Sequence, residues 1–146
     1  MSEAEQRASI EAAARSWLGT PYHHCARVKS VGVDCANLLI AVYSEAGLIE
    51  AFDPGYYSPQ FFMYRKEERF LGWVLKFAHE IDETQVKPGD IVLYRLGHVY
   101  AHGAIVVSPG WPKIIHALAR CCVLEANGLD GIFGSVRRKP RFFSRW

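Results

Sequence analysis

The sequence predicts an α+β fold in which helices come first along the chain and β-strands follow. Apolar residues recur at helical spacing over residues 3–18 and again after Asp34. Beyond the turn motif Pro88-Gly89-Asp90, the pattern changes to short β-rich runs separated by turn signals. Because helices and strands occupy separate parts of the chain, we expect the helix after Asp34 to pack on a C-terminal antiparallel sheet.

Length and composition restrict the class of protein. A chain of 146 residues with 50% hydrophobic residues is expected to form one domain, spanning 1–146. The net charge of +2 is too small to indicate nucleic-acid binding, and the strand-sized apolar runs predict no membrane span. The N-terminal residues lack the pattern of a secretory signal, so we expect synthesis in the cytoplasm, with the four cysteines reduced.

The first predicted helix covers residues 3–18. Ser2 suits its N-cap position, and Glu3 and Glu5 suit its first turn. Gly19-Thr20-Pro21 ends the helix, and residues 20–33 are predicted to form a loop. One apolar stripe contains Ile10, Ala13, Ala14, Trp17 and Leu18.

The second predicted helix begins after the capping residue Asp34 and ends at Gly47. Its apolar stripe contains Cys35, Leu38, Leu39, Val42 and Tyr43. Cys35 therefore occupies the first helical position, where the backbone N–H groups and the helix dipole favour negative charge. This position predicts a thiol that readily becomes a thiolate.

The remaining elements follow from turn signals and alternation. Residues 51–59 are turn-rich, and Ser58-Pro59 suits the start of helical material that runs to about Glu80, with a break near Gly72. The predicted strands are 91–94, 102–107, 113–117 and 121–126.

Two histidines are predicted to lie on neighbouring strands. The turn sequence 108–112 separates the strands that carry His102 and His116. If Val107 pairs with Trp111, the two histidines lie directly opposite each other, with Cβ atoms roughly 4.5–5.5 Å apart. A shift of two residues keeps both on one face, whereas a one-residue slip separates them. Either histidine alone could equally be a polar residue on a half-buried strand.

A nucleophilic thiol beside paired imidazoles can perform acyl chemistry. Ala104 and Val106 share the face of His102, so we expect this face to pack on the helix that carries Cys35. Spacing alone does not establish a contact between Cys35 and His102.

Five motifs occur in an order that resembles the NlpC family (NlpC and p-sixty) of papain-like cysteine peptidases, which are bacterial and phage cell-wall enzymes. The motifs are Trp17-Leu18-Gly19-Thr20-Pro21-Tyr22, Asp34-Cys35, Pro88-Gly89-Asp90, His102-Gly103-Ala104-Ile105-Val106-Val107 and Ile115-His116-Ala117. The short chain without a leader is most similar to phage-encoded members associated with tails. The resemblance implies a papain-like α+β fold for the whole domain.

The resemblance also implies roles for individual residues. Cys35 would be the nucleophile, His102 the general base and acid, and His116 the residue that orients His102. Tyr22 would lie beside the thiol and assist at the oxyanion. The usual substrate is a peptidoglycan stem peptide, cut at the γ-linked bond between D-glutamate and diaminopimelate. The expected location is the virion tail or the cell wall, with phage tail proteins as further partners.

The chain departs from the family pattern directly after the nucleophile. Members commonly have Ser and Gly after Asp-Cys, whereas this chain has Ala36 and Asn37. In relatives that act on freed stem peptides, that serine and the aspartate, here Asp34, bind the N-terminal amine of L-alanine. The change favours a different or internal stem substrate.

Other functions remain open from the sequence. A structural tail module without useful turnover, or a thioesterase, acyltransferase or deamidase, could share this fold. Cysteines 25, 121 and 122 are expected to be buried or half-buried, and with His23 and His24 they could suggest zinc. Adjacent ligand pairs lack the required spacing, so neither metal nor cofactor is expected, and His23 and His24 are predicted to line the substrate groove. The basic, aromatic segment 137–146 could bind an anionic wall polymer, but a strand with a solvated basic face is favoured.

Overall fold

Helices precede the sheet along the chain in the computed structural model, which describes residues 1–58 and 68–146. The α-helices among these residues are α1 (Glu3–Ser16), α2 (Cys35–Glu45) and α3 (Arg69–Val74). The strands are β1 (Arg27–Val28), β2 (Gly32–Val33), β3 (His79–Ile81), β4 (Ile91–Leu96), β5 (Val99–Val106), β6 (Lys113–Ala117), β7 (Val123–Asn127) and β8 (Arg141–Ser144). Short 3-10 turns lie at Glu83–Gln85, Gly131–Phe133 and Val136–Arg138.

Six strands form one antiparallel sheet in the order β3-β8-β4-β5-β6-β7. Helix α2 packs against β5 and β6, and α1 packs against α2. The predicted α+β, papain-like arrangement, with the Cys35 helix on an antiparallel sheet, is therefore confirmed.

Local capping signals positioned both N-terminal helices as the sequence predicted. The Ser2 hydroxyl accepts from the Glu5 backbone N–H, and the Glu5 carboxylate accepts from the Ser2 backbone N–H. The Asp34 carboxylate accepts from the backbone N–H of Asn37, so α2 begins at Cys35.

Several element boundaries differ from the prediction because long-range partners determine them. Part of the helix predicted to reach Glu80 falls on residues 59–67, outside the described residues. The described part ends at Val74, and residues 79–81 instead form β3, which pairs with β8. The predicted loop 20–33 contains the small β1–β2 hairpin.

The hairpin that carries the two histidines has a register different from the predicted one. Ile105 pairs with Ile115 and Val106 with Ile114, so the proposed pairing of Val107 with Trp111 is wrong. The Val107 backbone N–H instead donates to the Lys113 carbonyl at 3.0 Å, which makes the loop longer. The shift amounts to two residues, and both histidines remain on one face.

Different residues pack on the two faces of the sheet. Ile105, Val107 and Ile115 face the helices in one apolar cluster. Ala104 and Val106 belong to a second cluster on the opposite face, together with Phe142 of β8, and Phe133 packs against this cluster from outside the sheet. Alternate residues of a strand point to opposite faces of the sheet, and Gly103 is on the face that meets Leu39 of α2. His102 is therefore on the other face, and the expectation that its face packs on α2 is wrong.

The Pro88-Gly89-Asp90 turn joins both helices to the start of β4. Arg7 of α1 forms an ion pair with the fully buried Asp90 at 2.9 Å and donates to the Pro88 carbonyl. The hydroxyl of Tyr43, on α2, donates to the Gly89 carbonyl. These contacts fix the orientation of α2, and therefore of Cys35, relative to the sheet.

The basic, aromatic C-terminal segment forms β8, between β3 and β4. Phe142 and Phe143 are buried, and Arg141 forms an ion pair with Glu80 at 2.6 Å. The favoured interpretation of segment 137–146 as a strand is correct for Arg141–Ser144, whereas Arg137 and Arg138 belong to a 3-10 turn. No helix in the described part of the chain has the length and apolarity needed to cross a bilayer.

Candidate active site

The thiol of Cys35 lies against the part of β5 that carries His102. It donates to the Ala101 carbonyl oxygen at 3.7 Å, and the backbone N–H of Gly103 donates to the sulfur. A β-bulge lies beside this contact, since Tyr94 pairs with His102 whereas Arg95 pairs with Tyr100. Bulges redirect side chains, which accounts for a histidine on the far face of the sheet reaching the cavity next to α2.

Burial dominates the protonation state of the nucleophile candidate. It raises the pKa of Cys35 to about 12, with a further rise from the Asp34 carboxylate; the backbone N–H groups of Gly103, Ala36 and Cys35 act in the opposite direction. The helix N-terminus was expected to favour a thiolate. In the folded chain Cys35 is half-buried, and desolvation shifts the pKa of its thiol upward, in the direction opposite to the expected one.

His102 and His116 form a directly hydrogen-bonded pair. Nε2 of His102 lies 3.1 Å from Nδ1 of His116, and the ring planes are nearly perpendicular. Burial lowers the pKa of His116 to about 4. Burial, then His116, then Arg138 lower the pKa of His102 to about 3. Both imidazoles are therefore neutral at physiological pH, and one donates to the other.

A cavity of about 210 Å³ brings Cys35 and His102 together. Its lining includes Tyr22, His24, Asp34, Cys35, Tyr57 and His102, with Phe70 and Trp73 as apolar wall. A larger, more open depression of about 550 Å³ along α1 contains neither cysteine nor histidine. The smaller cavity is therefore the candidate active site.

Asp34 has a complete set of hydrogen bonds inside the protein. Its Oδ1 accepts from the backbone N–H of Asn37 at 2.9 Å and from the Asn37 side-chain amide at 3.0 Å. Its Oδ2 accepts from the Cys25 backbone N–H at 2.8 Å and from the Tyr57 hydroxyl. A carboxylate offers about four acceptor positions, so these bonds occupy all of them.

Tyr57 is a site residue that sequence reasoning missed. It lies in the turn-rich segment 51–59, and its partner Asp34 is distant in sequence, so no local pattern indicates it. Its ring is buried beside Trp73, and its carbonyl lies 2.6 Å from Nε2 of His24. Tyr57 therefore joins the loop of His24 to the cap of α2.

Of the other predicted site residues, two line the cavity and one does not. Tyr22 lines the cavity, and burial, followed by the nearby Cys35, raises its pKa, so its hydroxyl remains a hydrogen-bond donor. His24 also lines the cavity. His23 is exposed, with Nδ1 3.1 Å from the His24 carbonyl, and the cavity lining gives no support to its predicted part in substrate binding.

The three remaining cysteines have no disulfide partner, and the prediction that they are buried or half-buried holds for Cys122 but not for Cys25 and Cys121. Cys25 and Cys121 are exposed and Cys122 is half-buried, with 3.7 Å between the Cys121 and Cys122 sulfurs. One group in the described part of the chain could hold a metal ion, namely His24, Cys25 and Asp34, with ligand atoms within 4.8 Å. Its Asp34 oxygens and His24 Nε2 already form the hydrogen bonds described above, so we assign no metal to the site.

Sheet, helix and cavity together define an α+β domain of the papain-like class with a cysteine at a helix N-terminus and paired histidines on the sheet. Known structures place it more narrowly, because the chain has the fold of NlpC/p60 domains. The NlpC/p60 domain of peptidoglycan hydrolase SagA aligns with a TM-score of 0.61 at 23% identity, over 94% of this chain and 96% of that one.

Two further known structures have the same fold. NlpC1 from Trichomonas vaginalis aligns with a TM-score of 0.68 at 17% identity, over 99% of this chain, which spans only 45% of NlpC1. The P60 domain from M. avium subspecies paratuberculosis antigen MAP1204 aligns with a TM-score of 0.61 at 16% identity, over 97% of this chain and 95% of that one. At such identities the likeness concerns the fold. No family model and no curated protein sequence matches the chain.

Proposed function

We propose that the chain is a cysteine peptidase that hydrolyses an amide bond in peptidoglycan stem peptides. The observation that carries the proposal is the position of the Cys35 thiol, held between the backbones of Ala101 and Gly103 in the cavity that His102 lines. Further support comes from the fold, since one structure with the same fold is a domain of a peptidoglycan hydrolase.

The hydrogen bond between the histidines suggests how His102 acts as a base. If Nε2–H of His102 donates to Nδ1 of His116, the lone pair of His102 Nδ1 is available to accept a proton. His116 then holds one tautomer of His102 without adding a buried charge. The Cys35 thiol is protonated at rest, so its proton passes to His102 as the sulfur attacks the amide carbon.

The remaining steps use the same groups. The tetrahedral oxyanion accepts hydrogen bonds from the Cys35 backbone N–H and from the Tyr22 hydroxyl. The C–N bond then breaks, the leaving nitrogen takes the proton from His102, and a thioester on Cys35 remains. Water adds to the thioester as His102 removes its proton, and the proton returns to the sulfur when the acid product leaves.

We further propose that the bond is the γ-D-glutamyl-diaminopimelate amide inside a stem, without a requirement for a free N-terminal amine. Two observations support this choice. Position 36 is Ala, which has no hydroxyl, and the four hydrogen bonds to Asp34 leave its carboxylate no acceptor position for an ammonium group.

Digestion of purified peptidoglycan tests the proposal. The wild-type chain should release new amino groups and split stem peptides in the mass spectrum, and Cys35→Ser should abolish this release while the circular dichroism spectrum stays unchanged. Cys121→Ser is the matched control, because Cys121 is exposed and outside the cavity, and it should retain full activity. Full activity of Cys35→Ser would overturn the proposed mechanism.

A structural module with the peptidase fold is the second candidate, and the high pKa of Cys35 favours it because a protonated thiol is a weak nucleophile. A wild-type chain that leaves stem peptides intact would support this candidate. Products other than split stems would instead indicate thioesterase, acyltransferase or deamidase chemistry. Association with a phage tail or the cell wall stays a prediction from the motif resemblance, and co-purification with virions tests it.

A further inference from the structure

A second cavity adjoins the candidate active site at His102. It has a volume of about 220 Å³, and His102, Leu96 and Ala119 line both this cavity and the candidate active site. Cys35 does not line the second cavity. Phe133 and Ile132 supply apolar wall, and Arg138 supplies a guanidinium group.

Two backbone carbonyls hold Arg138 in place, and no carboxylate of the described residues is its partner. Its Nε donates to the Ile132 carbonyl at 2.9 Å, and its Nη1 donates to the Arg95 carbonyl at 3.5 Å. Among residues 1–58 and 68–146, no acidic side chain forms an ion pair with Arg138, whereas Arg7, Arg15 and Arg141 all have one. A half-buried cation of this kind retains N–H groups for an external anion.

The proton transfer from His102 in the proposed reaction determines which part of a substrate reaches this cavity. His102 delivers a proton to the leaving nitrogen, so the leaving half must lie beside His102 rather than beyond Cys35. The second cavity is the space that His102 lines and Cys35 does not. Arg138 also acts electrostatically on His102, as the lowered pKa of His102 indicates.

We propose that Arg138 binds a carboxylate on the leaving-group half of the substrate and thereby selects amine components that carry a free carboxyl group. The inference rests on the proposed function, because it assigns the leaving half to the side of His102. Apolar wall and a fixed guanidinium suit a leaving group with an alkyl chain that ends in a carboxylate. A carboxamide in the same place has no charge for Arg138 to bind.

Two stem tripeptides with a blocked N-terminus provide the test, N-acetyl-L-Ala-γ-D-Glu-diaminopimelate with free carboxyl groups on its diaminopimelate and the same peptide with these groups amidated. Arg138→Gln should lower kcat/KM for the free-carboxyl peptide about 10- to 100-fold, mainly through KM, and leave the amidated peptide unchanged. Arg138→Lys keeps the charge and should restore part of the loss. Arg137→Gln is the matched control, because Arg137 is the exposed neighbour outside the cavity, and it should change neither value.

Binding to a Cys35→Ala chain separates this inference from the proposed function. Calorimetry should show tighter binding of the free-carboxyl peptide than of the amidated one, and the added substitution Arg138→Gln should remove the difference. A wild-type chain without turnover, together with this binding pattern, would refute the peptidase proposal and support the Arg138 site. Equal effects of Arg138→Gln on both peptides, or unchanged preference in that variant, would overturn the inference.

Discussion

His102 and His116 meet as diagonal neighbours on adjacent strands, with 3.1 Å between Nε2 of one and Nδ1 of the other. The register that pairs Ile105 with Ile115 places His116 opposite Ala104 when it is continued by one step. A diagonal contact spans a longer backbone distance than a directly opposed one, and two long imidazole side chains can bridge it. The pair leaves Nδ1 of His102 for the candidate nucleophile, whose protonation state is the first property to test.

The alkylation of Cys35 is expected to require alkaline pH. Burial and the Asp34 carboxylate raise its pKa to about 12, and only the thiolate reacts with iodoacetamide. Labelling of each cysteine, followed by mass spectrometry across pH, should show that the rate for Cys35 still rises above the pH at which an ordinary thiol with a pKa of about 8.5 reaches its maximum. A plateau for Cys35 below pH 7 would instead indicate a thiolate–imidazolium pair and contradict this prediction.

The buried His116 should make folding stability depend on pH. The pKa of His116 falls to about 4 in the folded chain, so between pH 6.5 and 4 the unfolded chain binds the proton and the folded chain does not. Stability is therefore lost as the pH falls through this range, by about 2 kcal/mol for one such histidine between pH 7 and 5.

His116→Gln measures this contribution, because glutamine keeps an acceptor for His102 but does not titrate. Urea unfolding at pH 7 and pH 5 should show a loss of stability about 2 kcal/mol smaller in the variant than in the wild type. The exposed residue His98 is the control, and His98→Gln should leave the wild-type loss unchanged. An equal loss in His116→Gln would mean that His116 carries no such linkage.

Loss of the Tyr57 hydroxyl is expected to weaken the cap of α2. Tyr57→Phe leaves Oδ2 of the buried Asp34 with one donor fewer, which should lower the free energy of unfolding by about 1–3 kcal/mol. Chemical denaturation measures the change. Tyr56→Phe provides the comparison, since Tyr56 is 79% exposed, and it should stay within about 0.5 kcal/mol of the wild type.

Gly103 lies at a close approach of the sheet to α2 and α3. A Cβ atom there would be 2.8 Å from Cζ of Phe70 and 3.0 Å from methyl groups of Leu39 and Leu93. Gly103→Ala should therefore destabilise the fold by about 1–3 kcal/mol and lower activity, because the Gly103 backbone N–H also contacts the thiol.

Gly72 offers the opposite case within α3. A Cβ atom at this position meets no atom within 4 Å, so Gly72→Ala should stabilise the fold by about 0.5–1 kcal/mol through the better helix propensity of alanine. Thermal unfolding of the two variants measures both changes. A stabilised Gly103→Ala would show that the neighbouring side chains move without cost.

Local signals were sufficient for the elements that carry the candidate site. The cap at Ser2, the cap at Asp34 and strand β6 were each predicted within two residues, because each depends on residues only a few positions apart. The alternation of strand side chains was also enough to place His102 and His116 on one face, whichever even register the hairpin adopted.

Long-range packing decided the rest of the site. The hydroxyl of Tyr57 on Asp34 and the position of Arg138 beside a second cavity both involve residues far apart in the sequence. The same holds for the protonation of Cys35. The sequence by itself determined that a cysteine would begin a helix, where the dipole favours a thiolate. Only the tertiary structure decided how much water that thiol would lose, and desolvation of a charge outweighs the dipole of one short helix.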